Sequence, residues 1–270
     1  MSVEKKSAKM SVTRLLAMKQ AGEKIACLTA YDASFAAVLD QAGVDLVLMG
    51  DSLGMVIQGH ETTLPVTMDE TIYHAKAVRR GVSQAFLLVD MPFMSYADPM
   101  MALHNAGRLM KESGAQMVKL EGGASQVETV QRLTQNGIPV CAHLGLQPQA
   151  VHKLGGYRLQ GRDEQSAAVL LNDAVLLAEA GADLLLLECV PELLASEISA
   201  NVAIPVIGIG AGVGCDGQIL VLYDLLGLSS RAPRFSKNFL LGQGSIQAAV
   251  GSYVAAVKAA TFPSDAETLA

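Results

Sequence analysis

The chain has 270 residues, of which 51% are hydrophobic and 17% charged, enough apolar material for a sizeable core and too much for disorder. A net charge of −6 and a pI of about 5.4, with no basic stripe, argue against nucleic acid and anionic membrane as main partners. Acids, Gly or Pro interrupt every apolar run before it could span a bilayer, and the N-terminus, with Lys5, Lys6 and Lys9, lacks the apolar core of a signal peptide. The expectation is a cytoplasmic protein that acts on small molecules.

In chain order, residues 11–21 have helical spacing (Leu15, Leu16, Met18) behind a Ser that can serve as N-cap, and are expected to cover the bottom of the fold. Residues 25–32 read as the first strand, 33–42 as a helix and 45–52 as the second strand, followed by a long Gly-containing loop over 53–66. A helix over 67–80 opens with Thr67 and Glu70 in capping-box spacing. Next come a strand at 86–90, a helix at 99–113, a strand at 116–121 and a helix at 125–135, where Ser125 and Glu128 predict a second capping box. The fifth strand, 139–144, runs into a polar, Gly-rich segment over 147–161 that is long for a strand-to-helix connection. Helix 165–180, strand 183–188, helix 191–200 and strand 205–208 follow. A strand at 218–222 and a helix at 246–260 complete the set, and the tail from Thr261 is expected to fray. No linker divides the chain. Eight strand–helix steps in this length fit a single-domain (β/α)8 TIM barrel better than a doubly wound sheet, with the eighth step the weakest.

Three strands share one layout, a Gly turn, an apolar block and a terminal acid: Gly43 to Asp51, Gly114 to Glu121 and Gly181 to Glu188. With Asp32 and Asp90 they place five acids on the edge where α/β enzymes assemble their sites. Carboxylates brought together repel unless a cation or shared protons compensate, and oxygen-only ligands favour a hard cation such as Mg²⁺. Lys119 lies two residues before Glu121 and so shares its face. It either pairs with Glu121 or binds a substrate carboxylate. His143 either donates to a substrate oxygen or satisfies a rim carbonyl. Gly208-x-Gly210-x-Gly212 reads as a phosphate cradle or as close backbone packing. Cys27, Cys141, Cys189 and Cys215 have no metal or redox spacing and read as buried reduced thiols.

Several segments together resemble one family. They are Met49-Gly50-Asp51-Ser52-Leu53-Gly54-Met55, Val89-Asp90-Met91-Pro92-Phe93, Val118-Lys119-Leu120-Glu121-Gly122-Gly123, His143-Leu144-Gly145-Leu146 and Leu187-Glu188-Cys189-Val190-Pro191. In this order they resemble ketopantoate hydroxymethyltransferase (3-methyl-2-oxobutanoate hydroxymethyltransferase), and the resemblance runs from Ser11 to about Lys258. It implies a (β/α)8 barrel, a Mg²⁺ site and a step of pantothenate biosynthesis. In that step a one-carbon unit passes from 5,10-methylenetetrahydrofolate to 3-methyl-2-oxobutanoate, giving 2-dehydropantoate. By motif it implies Asp51 and Asp90 as metal ligands with Glu121 joining them. Asp51, Ser52, Asp90 and Lys119 would hold the keto acid, and Glu188 would accept the proton. It also implies a homo-oligomer, a decamer. The 147–161 segment would then be a mobile lid, with Lys153 and Arg158 near the anionic folate tail, or else an ordinary surface loop. Two other functions fit the residues: a metal-dependent lyase or mutase needing no folate, and a barrel that binds a keto acid without exchanging its protons.

Overall fold

Short apolar blocks without polar alternation are strands covered on both faces. In the computed structural model, which describes residues 9–229 and 232–269, they form a closed parallel barrel. Its strands are β1 (Ile25–Thr29), β2 (Leu46–Met49), β3 (Phe86–Asp90), β4 (Met117–Glu121), β5 (Val140–Gly145), β6 (Leu184–Glu188), β7 (Val206–Ile209) and β8 (Gly217–Leu220). β8 pairs back onto β1 in register from Ile25↔Gly217 to Leu28↔Leu220, which closes the sheet and rules out the doubly wound alternative. The eighth strand lies one to two residues nearer the N-terminus than predicted, because Leu222–Leu225 already turns as a short helix.

Alternation along each strand sorts the side chains. Ile25, Leu46, Phe86, Met117, Leu184 and Ile207 fill the lower barrel interior, while Ala26, Val47, Leu87 and Leu185 face the surrounding helices. Leu15 and Met18 of the helix Val12–Gln20 belong to the interior cluster, so this helix plugs the N-terminal end as expected. Followed upward, the same inward-facing series turns polar at Asp90, Lys119, Glu121, His143 and Glu188.

The Thr67–Glu70 capping box forms at the start of the helix Met68–Gly81. The second box does not. Ser125 lies inside the 3-10 turn Ala124–Gln126, without the extended backbone an N-cap needs, and the helix Val127–Gln135 starts behind Gln126 with no side-chain cap. In the tail, Phe262 is buried edge-on against Phe239 and Tyr253, with ring centroids 5.3 and 5.7 Å away. One aromatic in a polar stretch leaves no periodic signal, yet it anchors the chain as far as a Ser264–Glu267 turn. All four cysteines are free and buried, and burial pushes the Cys189 and Cys215 thiols up to about 12. Among the described residues, no helix is long and apolar enough to cross a membrane.

Candidate active site

The polar layer at the strand C-termini is the floor of a cavity of about 1010 Å³. Asp51, Ser52, Asp90, Lys119, Glu121 and Glu188, the residues singled out from sequence, all line it, together with His143. Asp32 does not: β1 ends at Thr29, and Asp32 instead caps the helix Ala33–Gln41 by accepting the Ser34 and Phe35 N–H groups.

Close approach of β2 to β3 builds the centre. A Cβ on Gly50 would lie 2.9 Å from Ser52 Oγ and 3.4 Å from Asp90 Oδ2, so a bare backbone is needed there. Just beyond, the Asp51 N–H donates to Asp90 Oδ2 at 2.9 Å. Ser52 Oγ shares a hydrogen bond of 2.8 Å with the Tyr31 hydroxyl. Lys119 Nζ sits 2.8 Å from Asp90 Oδ1 and 3.9 Å from Glu121 Oε1, so its main partner is Asp90 rather than Glu121. Burial alone would lower the lysine's pKa, but the charges of Asp90, Glu121 and Asp51 outweigh it and keep the ammonium charged.

His143 packs against two carboxylates and not against a rim carbonyl. Its Nδ1 is 3.3 Å from Glu121 Oε1 and its Nε2 is 3.3 Å from Glu188 Oε2, so it bridges two carboxylates. Burial and Lys119 push its pKa down, yet Glu121 and Glu188 prevail and raise it. Burial works against ionised Glu121 too, but His143, Lys119 and the Gln149 N–H hold its carboxyl below the usual range. Asp51 goes the other way: burial first, then Asp90 and Glu121, push it well above the usual carboxylate range.

This donor set suits a hard divalent cation. It is all oxygen and carries an excess of negative charge. Asp90 Oδ1 and Glu121 Oε1 are buried without an aligned hydrogen bond. Among the described residues, no three His, Cys, Asp or Glu side chains are arranged round an ion position. A cation here would draw its remaining ligands from substrate and water, as Mg²⁺ commonly does.

Lys153 and Arg158 are exposed and do not line the cavity; Tyr157 and Leu159 of the same segment do. The glycine series serves packing, since Cβ atoms on Gly208, Gly210 and Gly212 would meet Cys215, Phe235 and Glu192 within 3 Å. Two buried residues, Tyr96 and Gln149, escape a reading from sequence although both bond into the acid cluster. Tyr96 lies in a loop and Gln149 in a single 3-10 turn, with no acid, metal spacing or periodicity to mark either.

Fold and site define a (β/α)8 barrel with a carboxylate–lysine–histidine centre at the C-terminal ends of its strands. Residues 9–265 match the family model described as ketopantoate hydroxymethyltransferase. A relative from Halorhodospira halophila, named 3-methyl-2-oxobutanoate hydroxymethyltransferase, is 59% identical over 94% of this chain and 92% of its own length. One of the same name from Nitrosococcus oceani is 60% identical over 94% and 97%. The chain belongs to the ketopantoate hydroxymethyltransferase family. Solved structures share the fold at low identity. A phosphoenolpyruvate phosphomutase from Streptomyces platensis has a TM-score of 0.61 at 15% identity, covering 80% of this chain and 83% of that one. A 2,3-dimethylmalate lyase has 0.57 at 19%, covering 80% and 82%.

Proposed function

We propose that this chain transfers a hydroxymethyl group from 5,10-methylenetetrahydrofolate to 3-methyl-2-oxobutanoate, giving 2-dehydropantoate for pantothenate biosynthesis. The names of its relatives support the keto-acid half of this reading. The observation that carries it is one buried floor on which Asp51, Ser52, Asp90, Lys119 and Glu121 stand together, with Glu188 reaching in on the other side of His143.

Each residue has a part. Lys119 offsets the negative charge of the keto acid, and Ser52, Asp51 and Asp90 fix its position against β2 and β3. Asp51 and Asp90, with Glu121 adjoining, would hold Mg²⁺, which when bound supplies Lewis-acid stabilisation of the charge that develops on the keto oxygen. Glu188, whose side chain is 15% exposed, removes the C3 proton, with His143 Nε2 standing 3.3 Å from its carboxylate. Leu48, Leu186 and Ile209 give the cavity an apolar lower wall, which strengthens these electrostatic effects. The outer cavity, with Met55, Tyr157, Tyr223 and Phe235, leaves room beyond the keto acid for a folate ring.

The reading includes a cytoplasmic homo-oligomer, a decamer, whose assembly would cover exposed apolar side chains such as Leu193 and Leu241. The test is incubation with Mg²⁺, keto acid and methylenetetrahydrofolate. Folate-dependent 2-dehydropantoate is the expected product. Turnover of the keto acid without folate would favour a lyase or mutase, and binding without C3 proton exchange would favour a non-catalytic barrel.

A further inference from the structure

Gln149 is buried among the acids, yet the chemistry above gives it no part. It sits in the 3-10 turn Pro148–Ala150 that follows β5 and is 7% exposed. Every hydrogen-bonding group of its side chain is engaged. Nε2 donates to Asp51 Oδ2 at 2.8 Å and to the Met91 carbonyl at 3.0 Å, and Oε1 accepts from the Tyr96 hydroxyl. Its main-chain N–H donates to Glu121 Oε2 at 3.0 Å. Chemistry fixes which way round the amide lies. The Met91 main-chain carbonyl can only accept, so the NH₂ must face it, and that places the same nitrogen against Asp51. The Tyr96 oxygen already accepts the Glu121 N–H at 3.3 Å, which leaves its own proton for Oε1.

One loop residue therefore ties together the ends of β2, β3 and β4. Asp51 Oδ2 is held back by the amide, while Oδ1 makes no hydrogen bond among the described residues and Asp51 lines the cavity. We infer that Gln149 is a positioning residue for the cation and keto-acid end of the site, with Tyr96 setting its amide. It holds Asp51 in the orientation that offers Oδ1, and its main-chain N–H holds Glu121 alongside. The inference rests on Asp51 being a cation ligand. A carboxylate left free to rotate must be ordered when the ligand binds, whereas one already tied back need not be.

The test is titration of Mn²⁺, with and without 3-methyl-2-oxobutanoate, into wild-type, Gln149→Leu and Tyr96→Phe proteins whose folding is checked by thermal melting. Gln149→Leu should bind Mn²⁺ roughly 10- to 100-fold more weakly, the usual effect of removing a partner that orients a metal ligand. Tyr96→Phe should show a smaller loss in the same direction. C3 proton exchange should show a raised apparent KM for the keto acid, with kcat largely restored at saturating Mn²⁺. A residue that only anchors the loop would lower the melting temperature and leave the Mn²⁺ affinity of the folded protein unchanged. Wild-type affinity in folded Gln149→Leu, or in Tyr96→Phe should the first variant not fold, overturns the inference. Absence of Mn²⁺ binding to the wild-type protein would instead remove the cation reading beneath it, and this shows before any variant is made.

Discussion

Asp51 and Asp90 are neighbours of the same type in different electrostatic positions. Asp90 is paired with Lys119 at 2.8 Å, whereas Asp51 is crowded by Asp90 and Glu121 and is pushed well above the usual carboxylate range by burial and those charges. Their amide variants should therefore behave differently. Both Asp51→Asn and Asp90→Asn are expected to weaken Mg²⁺ binding and remove activity with the barrel still folded. Asp51→Asn relieves repulsion and should not lower the melting temperature. Asp90→Asn leaves a buried ammonium without its nearest counter-charge and should cost up to about 3 kcal/mol, softened by Glu121. Metal titration and melting of both variants check this, and unchanged Mg²⁺ affinity in both would remove the ligand assignment. These acids were legible in the sequence because each ends an apolar block, and the strand period then says which way Lys119 and Glu121 point. The Lys119 partner was not legible, since it lies on the neighbouring strand and depends on the β3–β4 register. Gln149 was hidden for a similar reason, as its partners come from three other connections.

At the scale of elements, one joint ties the end of a helix to the start of a strand beyond the one that follows it. Asp40, near the end of the helix Ala33–Gln41, accepts from the Gln84 and Ala85 N–H groups at 2.9 and 2.8 Å and from the Ser83 hydroxyl at 2.6 Å, just before β3. Partial burial opposes its ionisation, but these donors win and hold its carboxyl below the usual range. An acid with a lowered folded-state pKa contributes stability above its unfolded value, about 3.9, and loses it as pH falls through the folded value. Asp40→Asn should therefore flatten the acid limb of the stability–pH curve below about pH 4, measured by denaturant titration. An unchanged acid limb would mean the joint carries no proton linkage. Element order and most boundaries follow from hydrophobic period and Gly/Pro punctuation. The failed Ser125 cap and the shifted β8 are boundary effects, where one turn of 3-10 or α-helix is decided by packing that no local pattern records.

Across the whole molecule, closure divides the barrel into an apolar lower half and a polar upper rim. The helix Val12–Gln20 plugs the bottom, and the tail wraps the outside through Phe262 before Leu269 reaches the cavity wall. Phe262→Ala should cost about 3–5 kcal/mol by denaturant titration, as for other buried aromatics, whereas a frayed tail would give no loss. The central claim is that Glu188 is the base that opens the reaction. It is separable from binding, because Asp51, Asp90 and Lys119 form their own cluster across His143. Glu188→Gln keeps the shape and removes the proton acceptor. Exchange of the C3 proton of 3-methyl-2-oxobutanoate with deuterated solvent, followed by proton NMR with Mg²⁺ and no folate, isolates that first step. Exchange should fall by roughly two to four orders of magnitude while Mg²⁺ and keto-acid binding survive. Near-normal exchange in a folded Glu188→Gln protein would contradict the account and place the base on another residue.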